Sequence, residues 1–283
     1  MTANSPAVPQ LPHPAESERK LRLRYASKCS RCGKSLEKGE QAVYDSVSRA
    51  VRCIVCEVPD LLQAVDDSGV AGQSAHREFE RRRVARQVRV KGRLGDTLGG
   101  AVLAITDDPQ STRAWERGSI GEQKLAEALA DVPEIRLLHD RRVAGTKGNL
   151  DHIVVSPAGV FVIDAKLYKG SIQIRDVGGL FKSDQRLYVG KRDCSHLAVN
   201  MGWQVDAVQR ALAEAGFQPI PPITPVLCFV EGEWPLLFPA EEYQSVRLEG
   251  KRSIKKLISG VQVLEPGTIA RVHHVLAIAF PPK

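Results

Sequence analysis

Asn149-Leu150-Asp151-His152-Ile153-Val154-Val155-Ser156-Pro157-Ala158-Gly159-Val160-Phe161-Val162-Ile163-Asp164-Ala165-Lys166 is the most informative segment of the chain. Two runs rich in β-branched residues flank Pro157-Ala158, so the segment reads as a β-hairpin with those two residues in the turn. The antiparallel register then sets Val155 opposite Val160 and Asp151 opposite Asp164. Directly opposed residues share a face, and Lys166, two beyond Asp164, projects to that face too. Opposed carboxylates repel and weaken a hairpin, which makes this pair a poor choice for structure alone. A hard divalent cation such as Mg²⁺ removes the conflict. It prefers carboxylate and water oxygens, and it can activate water and neutralise charge on a phosphate. A surface salt bridge between Lys166 and Asp164 is the plainer alternative, but it leaves Asp151 unexplained.

Working outward, residues 121–129 carry Leu125, Ala128 and Leu129 at helical spacing, which predicts a helix with Glu122 in its first turn. A carboxylate there is also what a helix dipole favours. Short β-prone runs follow at 135–138, 150–155, 160–165, 172–174 and 187–189. A second helix is expected over 196–215, a buried strand over 225–230, a short helix over 253–258 and a final apolar run over 272–279. Helix, three strands, helix, strand is a mixed α/β core.

Upstream, Pro6, Pro9, Pro12 and Pro14 lie among small polar residues, so residues 1–18 read as a disordered tail. Residues 19–59 hold Cys29-x-x-Cys32-Gly33 and Cys53-x-x-Cys56, twenty residues apart, the spacing of a four-cysteine zinc ribbon. Four thiolates would close a tetrahedral shell around one structural Zn, with two disulfides as the alternative. Residues 60–112 read as a connector. Its 77–93 stretch sets eight basic side chains, Arg81, Arg82, Arg83 and Arg86 among them, against Glu78 and Glu80. A helix with a thin stripe of Phe79, Val84 and Val88 is expected there, ended by Gly92, Gly95, Gly99 and Gly100. Residues 113–283 form the main domain.

The chain has 283 residues with 40 basic and 33 acidic side chains, a balance that suits a polyanionic partner without proving one. It shows neither a membrane-spanning run nor the apolar core of a signal peptide, which together with the C-x-x-C pairs leads us to expect a soluble cytoplasmic protein.

The D-(x12)-D-x-K arrangement resembles the PD-(D/E)xK nuclease superfamily, and more closely its nuclease-related NERD domain. The resemblance rests on Gly121-Glu122, on 149–153, on 159–166 and on Tyr168-Lys169-Gly170, and covers residues 117–209. It implies a restriction-endonuclease-like αβββαβ core and Mg²⁺- or Mn²⁺-dependent hydrolysis of phosphodiester bonds. By the same resemblance Asp151 and Asp164 would bind the metal, Glu122 would support it from the first helix, and Lys166 would position the nucleophile. Gln204 matches a glutamine on the family's second helix, although Met201 stands where a proline is usual. The implied partner is nucleic acid, with DNA favoured. Lys169, Arg81, Arg82, Arg83 and Arg86 are candidate phosphate contacts, and Lys169 is equally readable as an exposed turn lysine. A non-catalytic nucleic-acid-binding or adaptor protein that retains the fold is the alternative.

Overall fold

The computed structural model of the protein describes residues 18–30, 35–53, 68–146, 148–179, 182–237 and 239–283. The chain divides into two compact units, Met1–Gln63 and Ala64–Lys283. Apart from Glu18, the tail expected over 1–18 lies outside the described residues.

In the smaller unit, β1 (Glu18–Arg22), β4 (Gln41–Asp45) and β5 (Ala50–Cys53) form an antiparallel sheet in the order β1-β4-β5, and β2 (Ser27–Lys28) pairs with β3 (Ser35–Leu36). Leu23, Cys29, Leu36, Ala42 and Cys53 make up its buried cluster. Few apolar side chains are gathered here, and a core this small ordinarily needs a covalent or metal staple. The backbone N–H of Cys53 donates to Cys29 Sγ at 3.3 Å. Cys32 and Cys56 lie outside the described residues.

The larger unit opens with α1 (Gln73–Ile105) and α2 (Gln110–Leu129), followed by β6 (Arg136–Arg142), β7 (Asn149–Ser156), β8 (Gly159–Asp176), β9 (Gln185–Val189) and β10 (Arg192–Asp193). Next come α3 (Ser195–Glu214), β11 (Ile223–Glu233), β12 (Glu242–Tyr243), β13 (Val246–Glu249), α4 (Ser253–Ile258) and α5 (Pro266–Ala279). The order α2, β6, β7, β8, α3, β11 is the expected helix, three strands, helix, strand, with the short β9 and β10 inserted. The sheet is mixed: β6, β7 and β8 are antiparallel neighbours, whereas β11 runs parallel to β8 on one side and to β13 on the other.

Alternation along β7 and β8 divides the core. Ile153, Val155, Val160 and Val162 face a layer that includes Leu197, Met201 and Val208 of α3 and Val272 and Leu276 of α5. Val154, Phe161 and Ile163 face the other layer, with Leu125 and Leu129 of α2 and Ile254 and Ile258 of α4. Both faces are covered, so the strands read as nearly continuous apolar runs.

Several sequence expectations shift. The runs at 160–165 and 172–174 belong to one long strand, β8, and 272–279 belongs to the helix α5. Helix α2 begins at Gln110, so Glu122 lies in its middle and not in a first turn. The residues before Gly118 contain no breaker after Pro109, and Gly121 serves close packing: a Cβ there would stand 3.2 Å from Leu167 Cβ. Helix α1 continues past Gly92 and breaks at Gly95, whose φ of 78° is open to glycine. The chain then folds back, bringing Gly99 so near Lys91 that a Cβ would lie 2.9 Å from the lysine Cα. Of the expected stripe only Phe79 is buried; Val84 and Val88 face outward, because packing on this helix centres on its first turns and on Gly99.

Leu125 is fully buried where α2 meets the sheet. Leu125→Ala should cost about 2–5 kcal/mol of unfolding free energy, read from chemical denaturation midpoints. A loss below about 1 kcal/mol would contradict close packing of this layer.

Candidate active site

The β7–β8 register runs from Ser156↔Gly159 through Val155↔Val160 to His152↔Ile163, the alignment expected from a Pro157-Ala158 turn. Ser156 Oγ fixes this turn, accepting from the Ala158 N–H at 3.1 Å and donating to the Ile258 carbonyl at 2.9 Å. Asp151 and Asp164 are the next residues along the two strands. Asp164 continues the row of Val162 and lies beside Leu227 of β11, on the side of the sheet that α3 covers. Lys166 Nζ donates to Asp164 Oδ1. The Ala165 N–H points to Asp151 Oδ2 at 3.4 Å, so the carboxylate of one strand meets the backbone of the other.

Glu122 joins this group from α2. It is 5% exposed, and its Oε2 accepts the Gly72 N–H at 3.0 Å. A fourth carboxylate, Asp140 of β6, lies between the register pairs His139↔His152 and Arg141↔Leu150, opposite Asp151 of β7. Its backbone is left-handed, with φ of 48°, a conformation aspartate adopts more readily than most residues. Ser74 donates to it from both backbone N–H and Oγ, at 2.5 and 2.7 Å, and Asn149 Nδ2 donates at 2.9 Å. Sequence reasoning missed Asp140, Ser74 and Gly72. Asp140 follows the run at 135–138 and carries no motif, while Gly72 and Ser74 fall in the segment read as a connector. That segment is built into the site: the Ser68 carbonyl accepts the His139 N–H at 2.6 Å, and a Cβ on Gly69 would stand 2.4 Å from the His139 carbonyl oxygen.

Four carboxylates around one ammonium set the electrostatics. Burial, followed by the charge of Asp140, pushes the Glu122 carboxyl up to about 8. Burial and the charges of Glu122 and Asp164 hold Asp151 well above the usual carboxylate range. Burial alone would lower the Lys166 ammonium, but Asp164 and Asp151 outweigh it and keep the group protonated beyond the ordinary lysine range. Beneath this group, His139 and His152 meet Nδ1 to Nδ1 at 2.7 Å, so one must donate and the other accept. Burial favours the neutral form of both, with His139 held to about 4 and His152 well below its usual range. His152 is thus a packed histidine, as its opposite alternation from Asp151 predicts.

Gln204 is buried in the row of α3 that carries Met201 and Val208, on the same side of the sheet as Asp164. Its Nε2 donates to Met201 Sδ at 3.6 Å, and its Oε1 has no partner among the described residues. Lys169 is exposed, 3.6 Å from Glu231. The four arginines are engaged within or beside α1. Arg81 and Arg82 bond Glu78 at 2.7 and 2.6 Å, Arg83 lies 3.7 Å from Glu80, and Arg86 bonds Asp108 and the Thr106 hydroxyl at 3.0 and 2.6 Å.

Residues 117–230 match the family model of the nuclease-related domain, NERD. The matched stretch contains Glu122, Asp140, Asp151, Asp164, Lys166 and Gln204, and it begins after α1. No curated protein and no solved structure matches the chain. The NERD match and the mixed α/β fold point to a nuclease-related function and to nucleic acid as partner. No helix among the described residues is long and apolar enough to cross a membrane.

Among the described residues no three His, Cys, Asp or Glu side chains are gathered as a ready-made shell for one ion. Mg²⁺ does not require one, since it commonly takes one or two carboxylates and keeps several waters. Asp151 and Asp164 meet that need, and the unpartnered Gln204 Oε1 is a further oxygen donor buried on the same side of the sheet as Asp164.

The raised carboxyl of Glu122 has a thermodynamic consequence. A folded-state pKa above the unfolded one gives stability that is complete below about 4.5 and lost as pH rises through about 8. In thermal melts without added divalent cation, Glu122→Gln should therefore gain on the parent as pH rises from 5 to about 9. Parallel pH profiles for the two proteins would contradict the raised pKa.

Proposed function

We propose that the larger unit is a divalent-metal-dependent nuclease of the PD-(D/E)xK type that hydrolyses phosphodiester bonds in nucleic acid, with DNA the favoured substrate. The observation that carries this reading is the convergence of Asp151, Asp164, Lys166 and Glu122 inside a stretch that matches a nuclease-related domain. Carboxylates repel phosphate, so a cluster of them beside a nucleic acid makes physical sense chiefly when a cation intervenes. Asp151 and Asp164 would hold Mg²⁺ or Mn²⁺, with Glu122 supporting it from α2. Such an ion, when bound, lowers the pKa of a coordinated water and offsets charge on the scissile phosphate.

The protein's own groups divide the remaining work. Lys166 stays protonated, so it acts as a donor: its ammonium orients the attacking water or a phosphate oxygen and stabilises negative charge as it develops. Gln204 offers a buried amide oxygen that can accept a hydrogen bond from that water. Gly72 and Ser74 hold Glu122 and Asp140 in place through backbone N–H groups. Lys169 and the arginines of α1 would add phosphate contacts, exchanging exposed ion pairs of small net worth for the polyanion.

In the smaller unit we propose that Cys29, Cys32, Cys53 and Cys56 bind one structural Zn and that this ribbon aids substrate binding. The Cys53 N–H directed at Cys29 Sγ supports thiolate character at Cys29. A reducing, cytoplasmic setting suits four thiolates.

A non-catalytic binding protein remains the second reading, favoured by the lack of a ready-made shell of three ligands among the described residues. One experiment separates the two. Labelled linear, circular and single-stranded substrates are incubated with Mg²⁺ or Mn²⁺ and the parent, Asp164→Ala or Lys166→Ala. Cleavage by the parent, falling at least about a hundredfold in both variants, is expected; no metal-dependent cleavage, or equal cleavage by all three, would overturn the enzyme reading. For the ribbon, elemental analysis of purified protein should find about one zinc per chain, lost on Cys29→Ser together with Cys53→Ser. Zinc-free reduced protein would contradict it.

A further inference from the structure

Three depressions adjoin on the surface of the larger unit, and cations line each of them. The first, of about 650 Å³, has Arg117 and Lys124 of α2 on one wall and Tyr168, Lys169 and Arg192 on the other. It adjoins the candidate active site through Tyr168, which lines it and stands two residues beyond Lys166 in the same row of β8, close enough to act on the lysine's charge. Lys124 is shared with a second depression of about 300 Å³, bordered by Glu127, Lys251, Arg252 and Lys255. Lys251 and Arg252 open in turn onto a cavity of about 870 Å³ walled by Trp234, Arg247, Lys256 and Leu257.

The charges along this track are unbalanced. Glu231 occupies Lys124 at 2.6 Å and Lys169 at 3.6 Å, and Arg247 lies 3.8 Å from Glu241 and 3.2 Å from Glu249. Arg117, Lys251, Arg252, Lys255 and Lys256 have no carboxylate partner among the described residues. The track also carries an aromatic ring at each end. The Arg192 guanidinium lies over Tyr168 at 4.6 Å from the ring centre. The Trp234 indole is fixed by its N–H donating to the Ala240 carbonyl at 3.1 Å, and its ring lies against Gly250, where a Cβ would come within 3.0 Å. Unpaired cations in series with aromatic rings fit a single strand, whose phosphates reach the cations and whose unstacked bases reach the rings. A duplex keeps its bases stacked inside and presents chiefly phosphates to such a surface.

We infer that this track binds a single-stranded nucleic-acid segment leading away from the carboxylate cluster, with phosphates at Lys251, Arg252 and Lys256 and a base against Trp234. It deepens the nuclease reading and rests on it for the chemistry at the cluster, but binding can be measured without cleavage. The full chain, without added Mg²⁺ or Mn²⁺, is titrated into a fluorescent 30-nucleotide single strand and into the same sequence as duplex, followed by anisotropy. The parent should prefer the single strand. The Lys251→Glu/Arg252→Glu/Lys256→Glu variant should bind it at least about tenfold more weakly, with a log–log salt slope shallower by about 2. Trp234→Ala should weaken it about fivefold or more with the slope unchanged, and Trp234→Phe should retain binding. Thermal melts establish that each variant is folded, and the Phe substitution separates a stacking role from a packing one. Preference for the duplex, binding of neither, or single-strand affinity unchanged in the folded charge variant would overturn the track. Metal-dependent cleavage with that last result would leave the nuclease reading standing, whereas track-dependent binding with no cleavage would fail the nuclease reading alone.

Discussion

Repulsion between Asp151 and Asp164, on neighbouring strands of the β7–β8 hairpin, is what the packing around them has to overcome. The Pro157-Ala158 turn, anchored by Ser156, sets the register, and a slip of one residue would send one carboxylate to the opposite face. Nothing permits such a slip. Val154, Phe161 and Ile163 are locked into one layer, and Ile153, Val155, Val160 and Val162 into the other, so hydrophobic burial on both faces holds two acidic side chains close together. The cost of that placement is written in the raised carboxyls of Asp151 and Glu122 and in the tightly held ammonium of Lys166.

The stress is shared beyond the hairpin. Gly72 and Ser74 direct backbone N–H groups at Glu122 and Asp140 from the start of α1, where the unpaired donors of a helix end favour negative charge. Asn149 ties Asp140 toward Asp151 from within β7. Residues outside the matched stretch 117–230 thereby complete the group of carboxylates inside it. A neutral His139–His152 pair fills the space beneath without adding charge.

How far the sequence carries this picture depends on the range of the forces involved. The hairpin was legible because turn chemistry and period-two alternation are local, and they fix register over a few residues. The long helix α3 and the buried strand β11 were legible by the same kind of periodicity. Resemblance picks out Glu122 but not its position along α2, because Gly121 reads as a helix start and is a close-packing site against Leu167. Asp140, Gly72 and Ser74 were invisible because their roles depend on contacts 50 and 66 residues apart in sequence, which no local pattern encodes. The exposure of Val84 and Val88 was missed for a similar reason: apolar spacing indicates a helix face, and only tertiary contact decides whether that face is covered.

The neighbouring carboxyls of Asp151 and Asp164 make chemical sense as a divalent-cation site. Calorimetric titration of Mn²⁺ into the purified protein, with Asp164→Asn alongside, tests it most directly. A Mn²⁺ site is expected in the parent and lost or weakened at least about tenfold in the variant, accompanied by proton release near neutral pH as the raised carboxyls ionise. Equal Mn²⁺ binding by both proteins, or none by the parent, would contradict it.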